Sequence, residues 1–343
     1  MRSNSEFTGQ LWIMHLNRNK FVGKLPSSMR SLRNLQILDL GDNGLTDIIP
    51  TWIGERLSKL KFLRFQSNNF HEVISDELCL LSSFQVLNLA HNNLTGSIPH
   101  CFNNFSMMAS SEPGTDLWKF GDSTWLQNIK GGGELEYSSR NLLRVKSISL
   151  STNNLVGKIP DGIMDLVDLH TLNLSHNHLT GRIPEKIGNL KQLESLEVLM
   201  NELFGAIPES LSALNWLSIL NLSHNKLSGP IPSGNQIQTL TDPSIHEGNI
   251  GLYGEPLPND CLEHKLHTEN GHIHDDIGHG ESNWSWFYAG IGPGYAVGLL
   301  GVLGILLFKE SWRYAYFRFL ENAYDKICVI LALKANQLRT NFD

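Results

Sequence analysis

The chain repeats one pattern of apolar and polar positions at a nearly constant interval. Residues 169–184 read L-x-x-L-x-L-x-x-N-x-L-x-G-x-I-P, and the same template fits residues 193–208 and 217–232. Other copies begin at residues 11, 35, 60, 84 and 145. The template asparagine recurs every 24 or 25 residues, apart from one interval of 61, at Asn19, Asn43, Asn68, Asn92, Asn153, Asn177, Asn201 and Asn225.

The alternating L-x-L residues predict one short strand per repeat, with the leucines directed inward and the intervening side chains on a sheet surface. One repeat cannot bury its leucines alone, so neighbouring repeats must stack. The asparagine is expected to turn inward and satisfy backbone groups, while Gly and Pro shape the bend that follows it. We therefore predict an α/β-type leucine-rich-repeat solenoid with a short parallel β-sheet on its concave face.

The long interval exceeds one repeat by 37 residues and marks an insertion, which we call the island. Long irregular insertions are usually functional or disordered, and the aromatic side chains of Trp118, Trp125 and Tyr137 either pack against the solenoid or contact a ligand. The predicted order of parts is residues 1–103 (repeats), 104–143 (island), 144–240 (four repeats), 241–261 (cap), 262–285 (acidic linker), 286–308 (membrane span) and 309–343 (tail).

Residues 286–308 contain no charged side chain, and 23 apolar residues are long enough to cross a bilayer as one helix. Six basic residues follow this segment, whereas residues 262–285 hold five acids and one lysine. The positive-inside rule therefore predicts a single-pass plasma-membrane protein with its repeats outside the cell. Gly290, Gly294 and Gly298 share one helix face and predict lateral association within the membrane.

Charge and cysteine content change this picture only slightly. The net charge of −7 and the absence of a basic cluster exclude a nucleic-acid surface. Cys79 and Cys101 lie almost one coil apart, so they form either a disulfide or a buried free pair. Glycosylation sequons begin at Asn93, Asn104, Asn173, Asn221 and Asn283, and Asn173 and Asn221 are expected to be accessible on the outer face of the sheet.

No arrangement of residues indicates catalysis. The chain shows no nucleophile motif, phosphate-binding loop or paired acids, and we predict neither an enzyme nor a cofactor. Five histidines between residues 264 and 279 lie in a glycine-containing linker that offers no fixed geometry for a metal. Partial protonation in an acidic extracellular fluid is the better interpretation of these side chains.

The 24-residue I-P repeat, the segments DNGLTDIIPTWIGERLSKLKFLRFQSNNF, KGGGELEYSS and GNIGLYGEPLPNDC, and the order of parts resemble plant receptor-like proteins of the ethylene-inducing-xylanase receptor subfamily. This resemblance implies an extracellular protein or peptide ligand of microbial or damage origin, with a role for Lys130, Gly131 and Tyr137 of the island. It also implies an adaptor receptor-like kinase bound through the span glycines. A ligand-recruited co-receptor kinase would contact the last four repeats at Thr171, Asn173, Ser175, Ser195, Glu197, Asn221 and Ser223.

The chain departs from that family at several positions. Tyr253 stands where the cap usually has Cys, which leaves Cys261 without its expected partner, while Asp47 and Glu72 replace the template Gly and Ser75 replaces Pro. No signal peptide is present, so we expect either a partial sequence or a product that cannot be translocated. A developmental peptide co-receptor and a truncated decoy remain alternatives. An inhibitor of wall-degrading enzymes shares the repeat, but it would need no membrane span.

Overall fold

A computed structural model describes residues 11–110, the backbone of two strands at 125–130 and 133–138, and residues 145–234 and 236–257. Nearly every strand is short, because each coil contributes only a few extended residues before it bends. In chain order the strands are β1 (Ile13–His15), β2 (Val22–Gly23), β3 (Ile37–Asp39), β4 (Gly44–Leu45), β5 (Phe62–Arg64), β6 (His71–Val73), β7 (Val86–Asn88), β8 (Asn93–Thr95), β9 (Trp125–Lys130), β10 (Gly133–Ser138), β11 (Ser147–Ser149), β12 (Val156–Lys158), β13 (Thr171–Asn173), β14 (His178–Gly181), β15 (Ser195–Glu197), β16 (Glu202–Gly205), β17 (Ile219–Asn221), β18 (Lys226–Pro230) and β19 (Gly251–Tyr253).

The main sheet contains eight parallel strands in the order β1-β3-β5-β7-β11-β13-β15-β17. From β3 to β17 its central residues are buried leucines and one isoleucine that stay in register from coil to coil, as where Leu172 lies opposite Leu196, and the half-buried Met14 takes this place in β1. Strand β7 pairs directly with β11, with Leu87 opposite Ile148, so the repeats on the two sides of the island form one sheet. The predicted leucine-rich-repeat solenoid with parallel strands is confirmed.

The rest of each coil differs from the α/β-type prediction. After the asparagine, short strands pair as β2-β4, β6-β8 and β12-β14-β16-β18-β19. The return segments are 3₁₀ helices, such as Asp161–Asp165 and Glu185–Asn189, and the described part contains a single five-residue α-helix, α1 (Trp52–Arg56). These segments fit between a proline and the first leucine of the next repeat, which leaves too few residues for several α-helical turns.

The template asparagines form a ladder of side-chain hydrogen bonds that joins successive coils. Asn201 donates from Nδ2 to the carbonyls of Val198 and Leu174 at 3.1 and 3.0 Å, and its Oδ1 accepts from the Leu179 amide at 3.0 Å. Leu174 and Leu179 belong to the preceding coil, so one side chain satisfies backbone groups in two coils. The described asparagines from Asn43 to Asn225 repeat these contacts, and this confirms the expected inward orientation.

The ladder also contains a member that the template missed. Asn249, 24 residues after Asn225, accepts from the Leu227 amide at 3.0 Å and donates to the Leu222 carbonyl at 3.0 Å. The residues predicted as a cap therefore begin with a further coil. In that coil His246 takes the place of an inward leucine, is 2% exposed, and has a pKa lowered by burial. The 24-residue interval was the available signal for this coil.

The position of the template glycine has a left-handed backbone conformation, which favours glycine. Gly157, Gly181 and Gly205 have φ of +83° or +84° at this position, and Glu72 replaces the glycine while keeping a φ of +65°. Left-handed backbone costs a residue with a Cβ atom about 1–2 kcal/mol. Glu72→Gly is therefore expected to raise the free energy of unfolding by about 1 kcal/mol, after the greater flexibility of glycine in the unfolded chain is allowed for. Denaturant titration of the two proteins measures this difference, and a less stable glycine variant would contradict it.

Candidate functional site

The outer surface of the main sheet carries two rows of side chains that alternate with the buried leucines; we call it the sheet surface. The row at the first residue of each strand changes character along the solenoid. Before the island it is apolar and after the island it is mostly hydroxylated: Ile37, Phe62 and Val86, then Ser147, Thr171, Ser195 and Ile219. All of these side chains except Ile219 are buried.

The seven residues predicted to face a co-receptor lie together on the last three strands and the turns after them. They are adjacent in register, with Thr171 opposite Ser195 and Asn173 opposite Glu197, which in turn lies opposite Asn221. Only Asn221 is half-buried and the other six are buried. A contact at these positions thus requires greater exposure than they have in this structure.

Burial at Asn173 also conflicts with the expectation that its sequon is accessible. The side chain is 3% exposed, and its Oδ1 accepts from the amide of Ser175 at 3.1 Å and from its hydroxyl at 2.6 Å. Alternation along a strand shows which face a side chain occupies, but it does not show whether that face is covered. Asn93 and Asn104 are exposed, and Asn221 is half-buried.

A buried group of charges occupies the sheet surface at strands β3 and β5. The Arg64 guanidinium, 3% exposed, lies 3.2 Å from Asp39 Oδ1 and 2.8 Å from Asp42 Oδ2. His15 Nδ1 lies 3.5 Å from the other Asp39 oxygen. Gly41 makes room for the guanidinium, because a Cβ atom there would be 2.2 Å from Arg64 Nη1.

In this group, attraction between opposite charges offsets the effect of burial on the pKa of each side chain. Burial alone would raise the pKa of Asp39, but the hydrogen bond with His15, the charge of Arg64 and the Gly41 amide together hold that pKa below its ordinary value. Burial likewise opposes the charge of Arg64, and its two carboxylate partners raise the pKa of the guanidinium. The group is therefore an ionised cluster in which Arg64 Nη1 and Nη2 already face carboxylate oxygens, so Arg64 is not an open anchor for an anionic ligand.

The island begins beside the centre of the main sheet. Lys146, 2% exposed in its side chain, forms a buried ion pair with Asp168 and donates to the carbonyl of Ser110, which lies in the first part of the island. Further on, β9 and β10 form an antiparallel hairpin with Trp125 opposite Ser138 and Tyr137 opposite Leu126. Only Gly131 and Gly132 separate the two strands in sequence, and such a glycine pair is a hairpin signal that the repeat template does not include.

Other predicted residues are placed as follows. Cys79 and Cys101 are joined in a disulfide with a Cα–Cα distance of 5.8 Å. Trp118, Gly131, the three span glycines and Cys261 lie outside the described residues. Within the described ranges the structure contains no helix with the length and hydropathy that a bilayer crossing requires, and no group of three or more His, Cys, Asp or Glu side chains placed to hold a metal.

Comparison with known proteins supports the repeat at the level of sequence. The Leucine Rich Repeat family matches residues 34–55, 83–105, 168–190 and 216–236. Receptor-like protein 34 of Arabidopsis thaliana is 44% identical over 87% of this chain and 32% of its own length. Receptor-like protein EIX2 of Solanum lycopersicum is 46% identical over 83% of this chain and 29% of its own length.

Solved structures give the same fold. The ectodomain of the Arabidopsis receptor kinase HAESA in complex with an IDA peptide hormone is 30% identical, with a TM-score of 0.54 over 69% of this chain and 33% of that one. HAESA with IDA and the co-receptor SERK1 matches at 25% identity, with a TM-score of 0.50 over 71% of this chain and 38% of that one. The chain spans about a third of the length of the curated relatives it matches, and with these repeats and this similarity it belongs to the leucine-rich-repeat receptor-like proteins.

Proposed function

We propose that this chain is part of a plasma-membrane receptor without a kinase domain, which perceives an extracellular microbial or damage-derived ligand in plant defence. The observation that carries the proposal is the identity of 44–46% to receptor-like proteins over 83–87% of the chain. The continuous main sheet supports it, because β7 pairs with β11 and the island therefore connects two adjacent strands of an uninterrupted row. A ligand held by the island can thereby contact repeats on both sides of it.

Signalling in this proposal needs partners with a kinase domain, one of them an adaptor bound through Gly290, Gly294 and Gly298. HAESA with its peptide hormone and SERK1 shows that a leucine-rich-repeat ectodomain accommodates a ligand and a co-receptor together. By analogy, a co-receptor would engage the last four repeats of this chain. The same structures favour the second candidate function, a developmental peptide co-receptor, because the ligand of HAESA is a peptide hormone.

Proximity labelling tests the kinase partnership. A biotin ligase fused to the C-terminus of the full chain in plant cells is expected to label a single-pass receptor kinase. Leucine at Gly290, Gly294 and Gly298 should reduce that labelling about tenfold, because helix backbones could no longer approach closely. Gly292→Leu, on another face of the predicted helix, is the matched control. Equal labelling in the triple variant would remove the proposed span contact, and no labelled kinase in any variant would remove the signalling role.

The burial pattern makes a separate prediction about glycans. Asn93 and Asn104 are exposed while Asn173 is buried, so Asn93→Gln with Asn104→Gln should remove most of the electrophoretic shift produced by a glycosidase. Asn173→Gln should migrate like the unchanged protein, because an oligosaccharide needs an accessible side-chain amide. Faster migration of the Asn173 variant would show that the sheet surface is open when sugars are attached.

A further inference from the structure

A groove of about 740 Å³ lies beside the second and third coils, away from the sheet surface. Strand β6, the start of the 3₁₀ helix Asp76–Leu80 and the residues around Pro99 form its walls. Two branched apolar side chains contribute to its lining and remain largely open to solvent, with Ile48 at 47% and Val73 at 55% exposure. These two residues occupy equivalent positions in successive coils.

The groove coincides with the departures from the repeat template. The residue after the template glycine is polar or small elsewhere among the described coils: Lys24, Ser97, Lys158, Arg182, Ala206 and Pro230. Among these coils it is a branched apolar residue only at Ile48 and Val73. The template glycine and proline themselves are replaced at Glu72 and Ser75, which both line the groove. In the irregular repeats, branched apolar side chains (Ile48 and Val73) therefore replace charged or small ones, and the carboxylate of Glu72 replaces a glycine.

The rim of the groove is acidic. Glu72, Asp76 and Glu77 line it, and among the described residues of the lining His100 is the one side chain that can carry a positive charge. Glu77 accepts a hydrogen bond from the Ser75 hydroxyl, which lowers the pKa of this carboxyl and keeps it ionised. An apolar floor with carboxylates around it is complementary to a segment that combines basic and apolar side chains.

The surrounding structure holds this groove in shape. The disulfide Cys79–Cys101 joins the two 3₁₀ helices that flank it, Asp76–Leu80 and His100–Asn104. Gly96 on the neighbouring coil leaves space for Val73, because a Cβ atom there would lie 2.7 Å from Val73 Cγ1. Because the groove is already formed, little free energy is lost in ordering its residues when a ligand binds.

We infer that this lateral groove is a docking site for a cationic peptide segment of a partner protein, with basic side chains at Glu72, Asp76 and Glu77 and an apolar side chain on Ile48 and Val73. The site is separate from the sheet surface. It does not depend on the proposed signalling function, since the contacts it offers are fixed by the irregular repeat alone.

The test uses the full chain in phosphatidylcholine nanodiscs and a fluorescein-labelled hexapeptide, Lys-Ile-Lys-Val-Lys-Gly, with fluorescence polarisation as the readout and empty nanodiscs subtracted. We expect saturable binding that weakens as salt is raised, because the charge contacts are exposed to solvent. A peptide with Gln in place of each Lys should bind about tenfold more weakly, as should the triple variant E72Q, D76N, E77Q.

The apolar contacts are tested by a second variant, I48S with V73S, which should also lower affinity about tenfold. Val156→Ser is the matched control, because Val156 is exposed to a similar extent on the neighbouring coil but does not line the groove. Equal binding of the Lys and Gln peptides, or undiminished binding by both groove variants, would overturn the proposal. An equal loss in Val156→Ser would show nonspecific adsorption and would overturn it as well.

Discussion

Asn177→Ala is expected to lower the free energy of unfolding by about 4 kcal/mol, because it leaves several buried backbone groups without partners at about 1–3 kcal/mol each. The side chain donates to the carbonyls of Leu150, Leu174 and Ser175 at 3.0–3.1 Å and accepts from the Leu155 amide at 3.0 Å. Two of those partners belong to the preceding coil. The substitution therefore weakens both its own turn and the interface with its neighbour, on which the stability of a solenoid depends.

Guanidinium titration followed by far-UV circular dichroism measures this loss. Asn154→Ala is the matched control, because Asn154 is exposed and donates one side-chain hydrogen bond, to Asn93 Oδ1 at 2.7 Å. We expect that variant to lose less than about 1 kcal/mol. Similar losses in the two variants would mean that the ladder contributes no more than an exposed hydrogen bond.

The ladder also shows why so much of the fold could be predicted from sequence. Each coil uses the same residue types at the same positions, so the template alone located the main-sheet strands, the inward leucines and the asparagines, but not the second short strand of each coil. Where a coil keeps the geometry but changes the residues, the template fails. The coil of Asn249 has His246 in place of a leucine and no main-sheet strand, and it was assigned to the cap. The ladder interval would have revealed it.

The candidate sites were less predictable, because they depend on contacts between coils. Alternation placed Asn173 on the outer face, but its burial depends on what covers that face. Arg64 occupies the same template position as Asp39 one coil earlier, a pairing that sequence can show, whereas the space that Gly41 provides emerges only from coordinates. The replacements at Glu72 and Ser75 are visible in the sequence as departures from the template. That both residues line one groove is seen only in the structure.

Arg64→Met is expected to cost about 3–5 kcal/mol at neutral pH, the usual penalty for removing one partner of a buried ion pair. Asp39, 2% exposed in its side chain, would keep its charge while losing the guanidinium at 3.2 Å. The double variant Asp39→Asn with Arg64→Met removes the buried charge as well, and it should regain most of the stability because Asp42, which also loses the guanidinium, is 28% exposed and can be solvated. Denaturant titration of Asp39→Asn, Arg64→Met, the double variant and the unchanged protein gives the four free energies of unfolding that a double-mutant cycle needs.

The same pair predicts a specific dependence on pH. Because the pKa of Asp39 is lowered on folding, its stabilisation is fully present above the ordinary carboxyl pKa of about 3.9 and is lost as the pH falls through the lower folded value. In Arg64→Met the burial that raises this pKa is no longer opposed by the guanidinium, so Asp39 takes up a proton at higher pH. The cost of the substitution should therefore shrink between pH 7 and pH 4. A cost that stays constant over that range, or a double variant no more stable than Arg64→Met, would show that Arg64 contributes through packing and not through its charge.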